Sequence, residues 1–145
     1  MRRGILALLV MAGTGGLWGC DTAQDRRTEE VRAQLVGTWL HEAESGRVKQ
    51  RRVLTLGSDG QFRDRLSVTT AGEGTARQDF GGEWSYDGTH FKRRYLQQDG
   101  RQFSGGKIRF ATFPLVSVSR TDFVVDDNIQ GEKVTFRRVP EGTEP

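Results

Sequence analysis

Apolar and polar residues alternate along most of the chain beyond residue 35, in short runs that are separated by turn residues. Alternation with a period of two is typical of strands that bury one face. Turns such as Asp59-Gly60 and Asp87-Gly88 favour hairpins between consecutive runs. The pattern predicts eight sequential strands, at residues 36–42, 48–56, 61–69, 79–86, 89–96, 107–118, 123–126 and 132–139.

Sequential strands joined by short turns favour closure into a barrel, because closure leaves no exposed sheet edge. We therefore expect an all-β fold, a small antiparallel up-and-down barrel within residues 31–140. A short helix over residues 28–35 should precede the barrel, with Thr28 as its N-cap. Residues 71–77 are expected to form a flexible loop, and residues 141–145 a disordered tail.

The N-terminal residues have the pattern of an export signal. Arg2-Arg3 precede an apolar segment over residues 5–12, which is too short to span a bilayer as a helix. The following Leu17-Trp18-Gly19-Cys20 resembles the bacterial lipobox. The resemblance implies that residues 1–19 are a lipoprotein signal peptide and that Cys20, the only cysteine, becomes an N-terminus acylated with palmitate-type chains. An ordinary secretory signal and an uncleaved anchor are the alternatives.

A lipidated Cys20 implies a protein held on the membrane by its N-terminal lipid, because two or three acyl chains together anchor firmly. Residues 20–30 would then form the lipidated N-terminus and a tether. The localisation that follows is the bacterial cell envelope, with the barrel facing the periplasm. Asp21 resembles the signal that retains lipoproteins in the inner membrane, so that membrane is favoured over the outer one.

Gly37-Thr38-Trp39 lies where the charged N-terminal segment meets the first predicted strand. A short helix, a Gly-x-Trp triplet and a meander of strands together resemble the lipocalin and lipocalin-like families. The resemblance implies that Trp39 plugs one end of the barrel and that an arginine of the last strand packs across it. Parity favours Arg138, because it shares a strand face with Val134 and Phe136. The alternative is that Trp39 is an ordinary core residue of another β-protein.

Parity also selects the residues that should line the barrel interior. Asp64 and Arg93 fall on the apolar face of their strands, where a buried charge needs a partner or water. Aromatic residues recur at the other inward positions and would form an aromatic wall around a ligand. The predicted ligand-binding residues are Phe62, Asp64, Trp84, Tyr86, Phe91, Arg93, Tyr95, Phe110 and Phe136.

Charge and motifs argue against several classes of function. The isoelectric point of about 9.4 suggests a nucleic-acid partner, but removal of Arg2 and Arg3 leaves 20 basic residues against 19 acidic ones. We therefore expect no nucleic acid to bind. His41 and His90 have no cysteine or carboxylate at ligand spacing, so no metal or other cofactor is expected. The sequence contains no catalytic or nucleotide-binding motif, so we predict no enzyme.

Two functions from different classes remain. The first is a membrane-anchored, lipocalin-like protein that binds a small, largely apolar ligand. The second is a filled barrel that docks an envelope protein or acts as a structural module of the envelope. An apolar cavity of a few hundred cubic ångströms favours the first function, and a filled interior favours the second.

Overall fold

A computed structural model describes residues 19–104 and 109–145 of the chain, with side chains from Thr22 onward in the first range. Residues 1–18, which include Leu17 and Trp18 of the predicted lipobox and all of the predicted signal segment except Gly19, lie outside the described residues. The described elements, in chain order, are the helix α1 (Gly19–Leu35) and the strands β1 (Gly37–Ser45), β2 (Val48–Leu56), β3 (Gln61–Thr70), β4 (Gly74–Tyr86), β5 (His90–Gln98), β6 (Arg101–Gln102), β7 (Arg109–Val118), β8 (Asp122–Asp127) and β9 (Glu132–Val139).

The strands form one closed antiparallel barrel. Each long strand pairs with the next along the chain, and β9 returns to pair with β1, where Trp39 lies opposite Arg138. The two-residue β6 pairs only with the end of β5, so eight strands close the barrel among the described residues. The predicted all-β barrel with a preceding helix is confirmed.

The helix is longer than predicted. The sequence indicated a tether before a helix at residue 28, whereas α1 already begins at Gly19 and places Thr28 within the helix. Residues 20–36 contain neither proline nor glycine and include several good helix formers, so nothing in the sequence ends the helix before Leu35. The polar segment and the short helix are therefore one continuous element.

The predicted loop at residues 71–77 is also mostly regular structure. Only residues 71–73 form the turn, because β4 begins at Gly74 and pairs with β3 from Gly74 to Glu83. Thr69 and Thr75 face each other across this hairpin, with their hydroxyl oxygens 2.8 Å apart. Cross-strand pairing thus outweighs the low strand propensity of this glycine-containing segment.

The C-terminal residues, which were expected to be disordered, fold back over the outer face of the barrel. Arg65 donates hydrogen bonds to the Thr143 carbonyl and to the Glu144 carboxylate, at 2.6 and 3.0 Å. Val53 lies beside Arg65 on this outer face and is fully buried. Hydrogen bonds and an ion pair that the tail sequence alone does not reveal therefore hold it in place.

Aromatic side chains fill the half of the interior next to α1, which we call the helix end; the half near the β1–β2 and β3–β4 turns is the far end. Phe123 stacks on Phe136 with ring centroids 4.7 Å apart and meets Trp39 edge-on at 4.9 Å. The Phe91 ring contacts the Phe123 ring, with 5.8 Å between centroids. These side chains are almost completely buried, so the helix end is a close-packed core.

Arg138 and Trp39 join the helix to the barrel. The Arg138 guanidinium lies 4.0 Å from the Trp39 ring centroid and donates to the carbonyls of Gln34 and Val36. The Trp39 indole N–H donates to the Leu35 carbonyl at 2.8 Å. Together the two side chains satisfy three carbonyl groups at the C-terminal end of α1, which the helix itself leaves without partners.

Gly37 permits this arrangement. Its φ is +142°, which side-chain-bearing residues rarely adopt, and a β-carbon there would overlap Nη1 of Arg138. The glycine of the Gly-x-Trp triplet is therefore needed for space as well as for backbone conformation.

We predict that Trp39→Ala lowers the free energy of unfolding by about 3–5 kcal/mol, because it empties a fully buried site. Arg138→Met should cost at least about 2 kcal/mol, because it removes the cation–π contact and charge-assisted hydrogen bonds. The matched control is Arg137→Met, whose largely exposed side chain lies 3.7 Å from Glu42 and should contribute less than about 1 kcal/mol. Urea unfolding followed by circular dichroism measures the free energy of unfolding of all three variants. Equal losses of stability in the Arg137 and Arg138 variants would contradict the role assigned to Arg138.

Candidate ligand-binding site

A buried ion pair lies inside the barrel, beyond the aromatic core. Nη1 of Arg93 in β5 lies 2.7 Å from Oδ2 of Asp64 in β3, and their side chains are 3% and 1% exposed. Arg52 in β2 approaches the same carboxylate from the far end, with Nε 3.3 Å from Oδ1. One carboxylate is therefore shared between two guanidinium groups.

Strand register places these groups in the interior. Asp64 pairs with Leu54 of β2 and Phe80 of β4, both on the inward face. Arg93 pairs with Trp84 and Ala111, so it extends inward from β5, which is separated from β3 by β4 alone. The parity argument predicted both charges on inward faces, and the closed barrel brings them together.

Aromatic rings surround the Arg93 guanidinium. The centroids of four rings lie 5.4–5.8 Å from its Cζ, and these rings belong to Phe62, Phe91, Tyr95 and Phe113. Ring faces attract a cation, and the attraction strengthens where water is excluded. The Asp64 carboxylate and this aromatic cage together compensate for the loss of hydration of Arg93.

Hydrogen bonding around the pair is incomplete. Arg52 Nε, Asp64 Oδ1 and Arg93 Nε are buried and have no hydrogen-bond partner among the described residues. Arg52 Nε and Asp64 Oδ1 face each other at ion-pair distance, but without hydrogen-bond geometry. Buried polar atoms are normally satisfied, so these atoms retain capacity to bind a further polar group.

A pocket of about 250 Å³ lies on the far-end side of the ion pair. Arg52, Leu66 and Gln78 form one row of its wall across β2, β3 and β4. Asp64 and Phe80 form the next row toward the helix end. The residues that line the pocket are Arg52, Asp64, Leu66, Gln78, Phe80, Tyr95, Phe103, Arg109 and Phe110. The pocket thus combines an apolar wall with a few convergent polar groups, as small-molecule sites do.

Tyr95 supplies a neutral hydroxyl to this pocket. Its ring meets Phe62 and Phe80 edge-on, at 5.2 and 5.7 Å between centroids. Burial raises the pKa of the phenol, and the opposing effect of the Arg93 charge is smaller. Tyr95 therefore stays protonated at neutral pH and can donate a hydrogen bond.

Tyr95 keeps the inward parity of Phe91 and Arg93, and a β-bulge lies directly beyond it. Gly82 pairs with Tyr95 in the same register as Trp84 with Arg93, and the register between β4 and β5 shifts only between Gly82 and Gly81, which pairs with Gln97. A β-carbon at Gly82 would overlap the Arg94 carbonyl oxygen, so only glycine permits this close approach. The bulge therefore lies where the β4–β5 ladder leaves the site, after its last inward residue, Tyr95.

The structure divides the predicted ligand-binding residues into those at the pocket, those in the aromatic core, and Phe110. Asp64 and Tyr95 line the pocket, and Arg93 lies directly behind Asp64. Five others pack in or against the aromatic core instead, namely Phe62, Trp84, Tyr86, Phe91 and Phe136.

Phe110 does not occupy the inward position that was expected of it. Phe110 pairs with Arg94 on the outward parity of β7, and 65% of it is exposed. It reaches only the rim of the pocket, because its neighbour Ala111 occupies the inward position opposite Arg93.

Several pocket residues were missed by sequence reasoning. Arg52 shares parity with Leu54 and Leu56, which is a signal that it faces inward. That signal is ambiguous because Val53, on the opposite parity, is apolar as well and is fully buried on the outer face. Arg109 lies at the first described position of β7, where the pattern gives no clear face, and its guanidinium stacks 4.4 Å from the Phe103 ring.

Within residues 19–104 and 109–145, no group of three His, Cys, Asp or Glu side chains is placed to hold a metal ion. No helix in the same ranges has the length and apolar content needed to cross a bilayer. Comparison of the chain with protein-family models, curated proteins and solved structures found no match. Function is therefore inferred from the fold and from side-chain geometry.

We predict that Asp64→Asn lowers the free energy of unfolding by about 3–5 kcal/mol, because it leaves two arginines without their carboxylate in a buried site. The double variant Asp64→Leu/Arg93→Met should recover part of this loss, because only Arg52, which is 28% exposed, is then left without its carboxylate. The control is Glu83→Gln, which breaks the exposed pair with Arg94 (3.2 Å) and should cost less than about 1 kcal/mol. Urea unfolding measures each difference; a double variant that is no more stable than Asp64→Asn would refute the pairing as the cause.

Proposed function

We propose that this protein is a lipid-anchored lipoprotein of the bacterial cell envelope whose lipocalin-like barrel binds a small, largely apolar ligand at the far end. The observation that carries the proposal is the interior pocket, which has an apolar wall and a small set of polar groups at its floor. The proposal assigns the protein a binding role without catalysis.

The lipid anchor is supported by the lipobox-like Leu17-Trp18-Gly19-Cys20 and by the way the chain continues after it. Cys20 belongs to α1, a helix of 17 residues that spans about 25 Å. Arg32 of this helix donates to the Ser58 carbonyl and lies 5.2 Å from the Trp84 ring centroid. An acylated Cys20 would therefore connect to the barrel through a helix that is fixed against its closed end.

We predict that Cys20→Ser abolishes acylation and moves the full-length protein from the membrane to the soluble fraction. Mass spectrometry measures the acyl mass, and carbonate extraction followed by immunoblotting measures membrane association. The substitution changes one atom and leaves the helix and barrel unaltered, so loss of folding would not explain release. Retention of the serine variant in the membrane through residues 5–19 would refute the lipoprotein assignment.

A second function has its own support in the structure. The helix end is close-packed with aromatic residues, so the barrel does not enclose one large apolar cavity. Two apolar side chains are unusually exposed, Phe110 at 65% and Ile129 at 93%. A docking protein that contacts another envelope protein through its outer surface is therefore the rival to the ligand-binding protein.

A titration separates the two functions. The full-length Cys20→Ser protein is titrated with fatty acids and with a neutral hydrophobic fluorophore, while the emission of the protein's tryptophans, including Trp84, is followed. We expect saturable binding tighter than millimolar, which corresponds to at least about 4 kcal/mol of binding free energy. If no compound binds in this range, the ligand-binding function is replaced by the docking function.

A further inference from the structure

We propose that the ligand is an anionic amphiphile, whose charged group lies between Arg52 and Arg109 and whose apolar part contacts Phe80 and Phe103. This inference rests on the proposed ligand-binding function and assigns the chemical class of the ligand. It follows from the charges, the unused hydrogen-bonding capacity and the size of the pocket.

Positive charge exceeds negative charge around the pocket. Arg52 and Arg109 line it, Arg93 lies behind its floor, and Asp64 is the only carboxylate among the lining residues. Asp64 is already shared between Arg52 and Arg93. Three guanidinium groups against one carboxylate leave a net positive charge in a partly desolvated site, and such a site favours an anion.

Arg109 has no internal counter-ion. Among the described residues no carboxylate lies within ion-pair distance of it, and its guanidinium instead stacks on Phe103 at 4.4 Å. Stacking leaves the edge of the guanidinium, with its N–H donors, available to an oxyanion. Arg109 thus provides charge and donors on the side of the pocket opposite Arg52.

The neutral lining completes the recognition of an amphiphile. The Tyr95 hydroxyl and the Gln78 amide can donate to an oxyanion, while Leu66, Phe80 and Phe103 provide apolar contact. A volume of about 250 Å³ holds about eight groups of the size of water, at about 30 Å³ each. A carboxylate or phosphate with a short alkyl chain fills this space, and a longer chain would extend beyond it.

The test compares ligands that share an eight-carbon chain and differ in head group. Octanoate, octyl phosphate, 1-octanol and octyltrimethylammonium are titrated into the full-length Cys20→Ser protein by isothermal calorimetry, below micelle-forming concentrations. Inorganic phosphate, without a chain, is the fifth ligand. We expect octanoate and octyl phosphate to bind at least tenfold more tightly than octanol, and the ammonium compound to bind most weakly.

Variants locate the charge recognition. Arg52→Gln and Arg109→Gln should each weaken octanoate binding about tenfold and leave octanol binding unchanged, and Arg109→Lys should restore part of the loss. The matched control is Arg94→Gln, on the outer face of β5 beside Glu83, which should change neither affinity. Thermal unfolding of each variant shows whether the barrel is intact. Nitrogen-15 NMR should show that octanoate shifts the side-chain N–H signals of Arg52 and Arg109 in the wild-type pocket.

Each contrary result has a distinct meaning. Octanol that binds as tightly as octanoate refutes the anionic head group and leaves the ligand-binding function standing. Inorganic phosphate that binds as tightly as octyl phosphate refutes the amphiphile, because the apolar wall then contributes nothing. Failure of every ligand and of the neutral fluorophore refutes the ligand-binding function itself.

Discussion

The contact between Arg138 and the end of α1 is the interaction on which the rest of the structure depends. It links the helix, the first strand, the last strand and the β7–β8 turn, because Arg138 also donates to the Arg120 carbonyl at 2.7 Å. Trp39 lies under the guanidinium and packs on Phe123, so the same contact closes the barrel at its helix end. A buried tryptophan needs a partner for its indole N–H, and the carbonyl of Leu35 supplies it.

The Asp64–Arg93 pair imposes a second constraint, because it divides the interior into two halves of different character. On one side, aromatic rings exclude water and pack closely. On the other side, Arg52, Tyr95 and Gln78 face a space that the protein does not fill. A buried charge that is paired but incompletely hydrogen-bonded stabilises a fold only weakly.

The proposed lipid anchor and the proposed ligand pocket lie on different parts of the molecule. Cys20 is at the N-terminal end of α1, which lies against the closed helix end, and the pocket lies toward the far end. Anchoring and ligand exchange would therefore not compete for the same surface. If Cys20 is lipidated, α1 would restrict the orientation of the barrel relative to the membrane more than a flexible tether would. The reason is that Arg32 binds the helix to the β2–β3 turn.

The sequence by itself determined the main features of the barrel. Period-two patterning and turns such as Asp87-Gly88 act locally, so they predicted the strands, and closure follows because an open sheet would leave edges. Parity placed Asp64, Arg93 and Arg138 on inward faces for the same local reason. It failed for Phe110, because the strand face at the start of β7 depends on which residue pairs with Arg94.

Only the tertiary structure decided the features that depend on distant parts of the chain. Val53, which pairs with Arg65 on the outer face of β2, is fully buried, so both faces of β2 are apolar and the inward direction of Arg52 is obscured in the pattern. The bulge at Gly81/Gly82 shifts the register of β4 and β5 beyond Tyr95. The pocket forms where residues of five strands and the segment after β6 converge. No local pattern specifies such a convergence, because it is set by barrel closure and by the packing of the aromatic core beneath it.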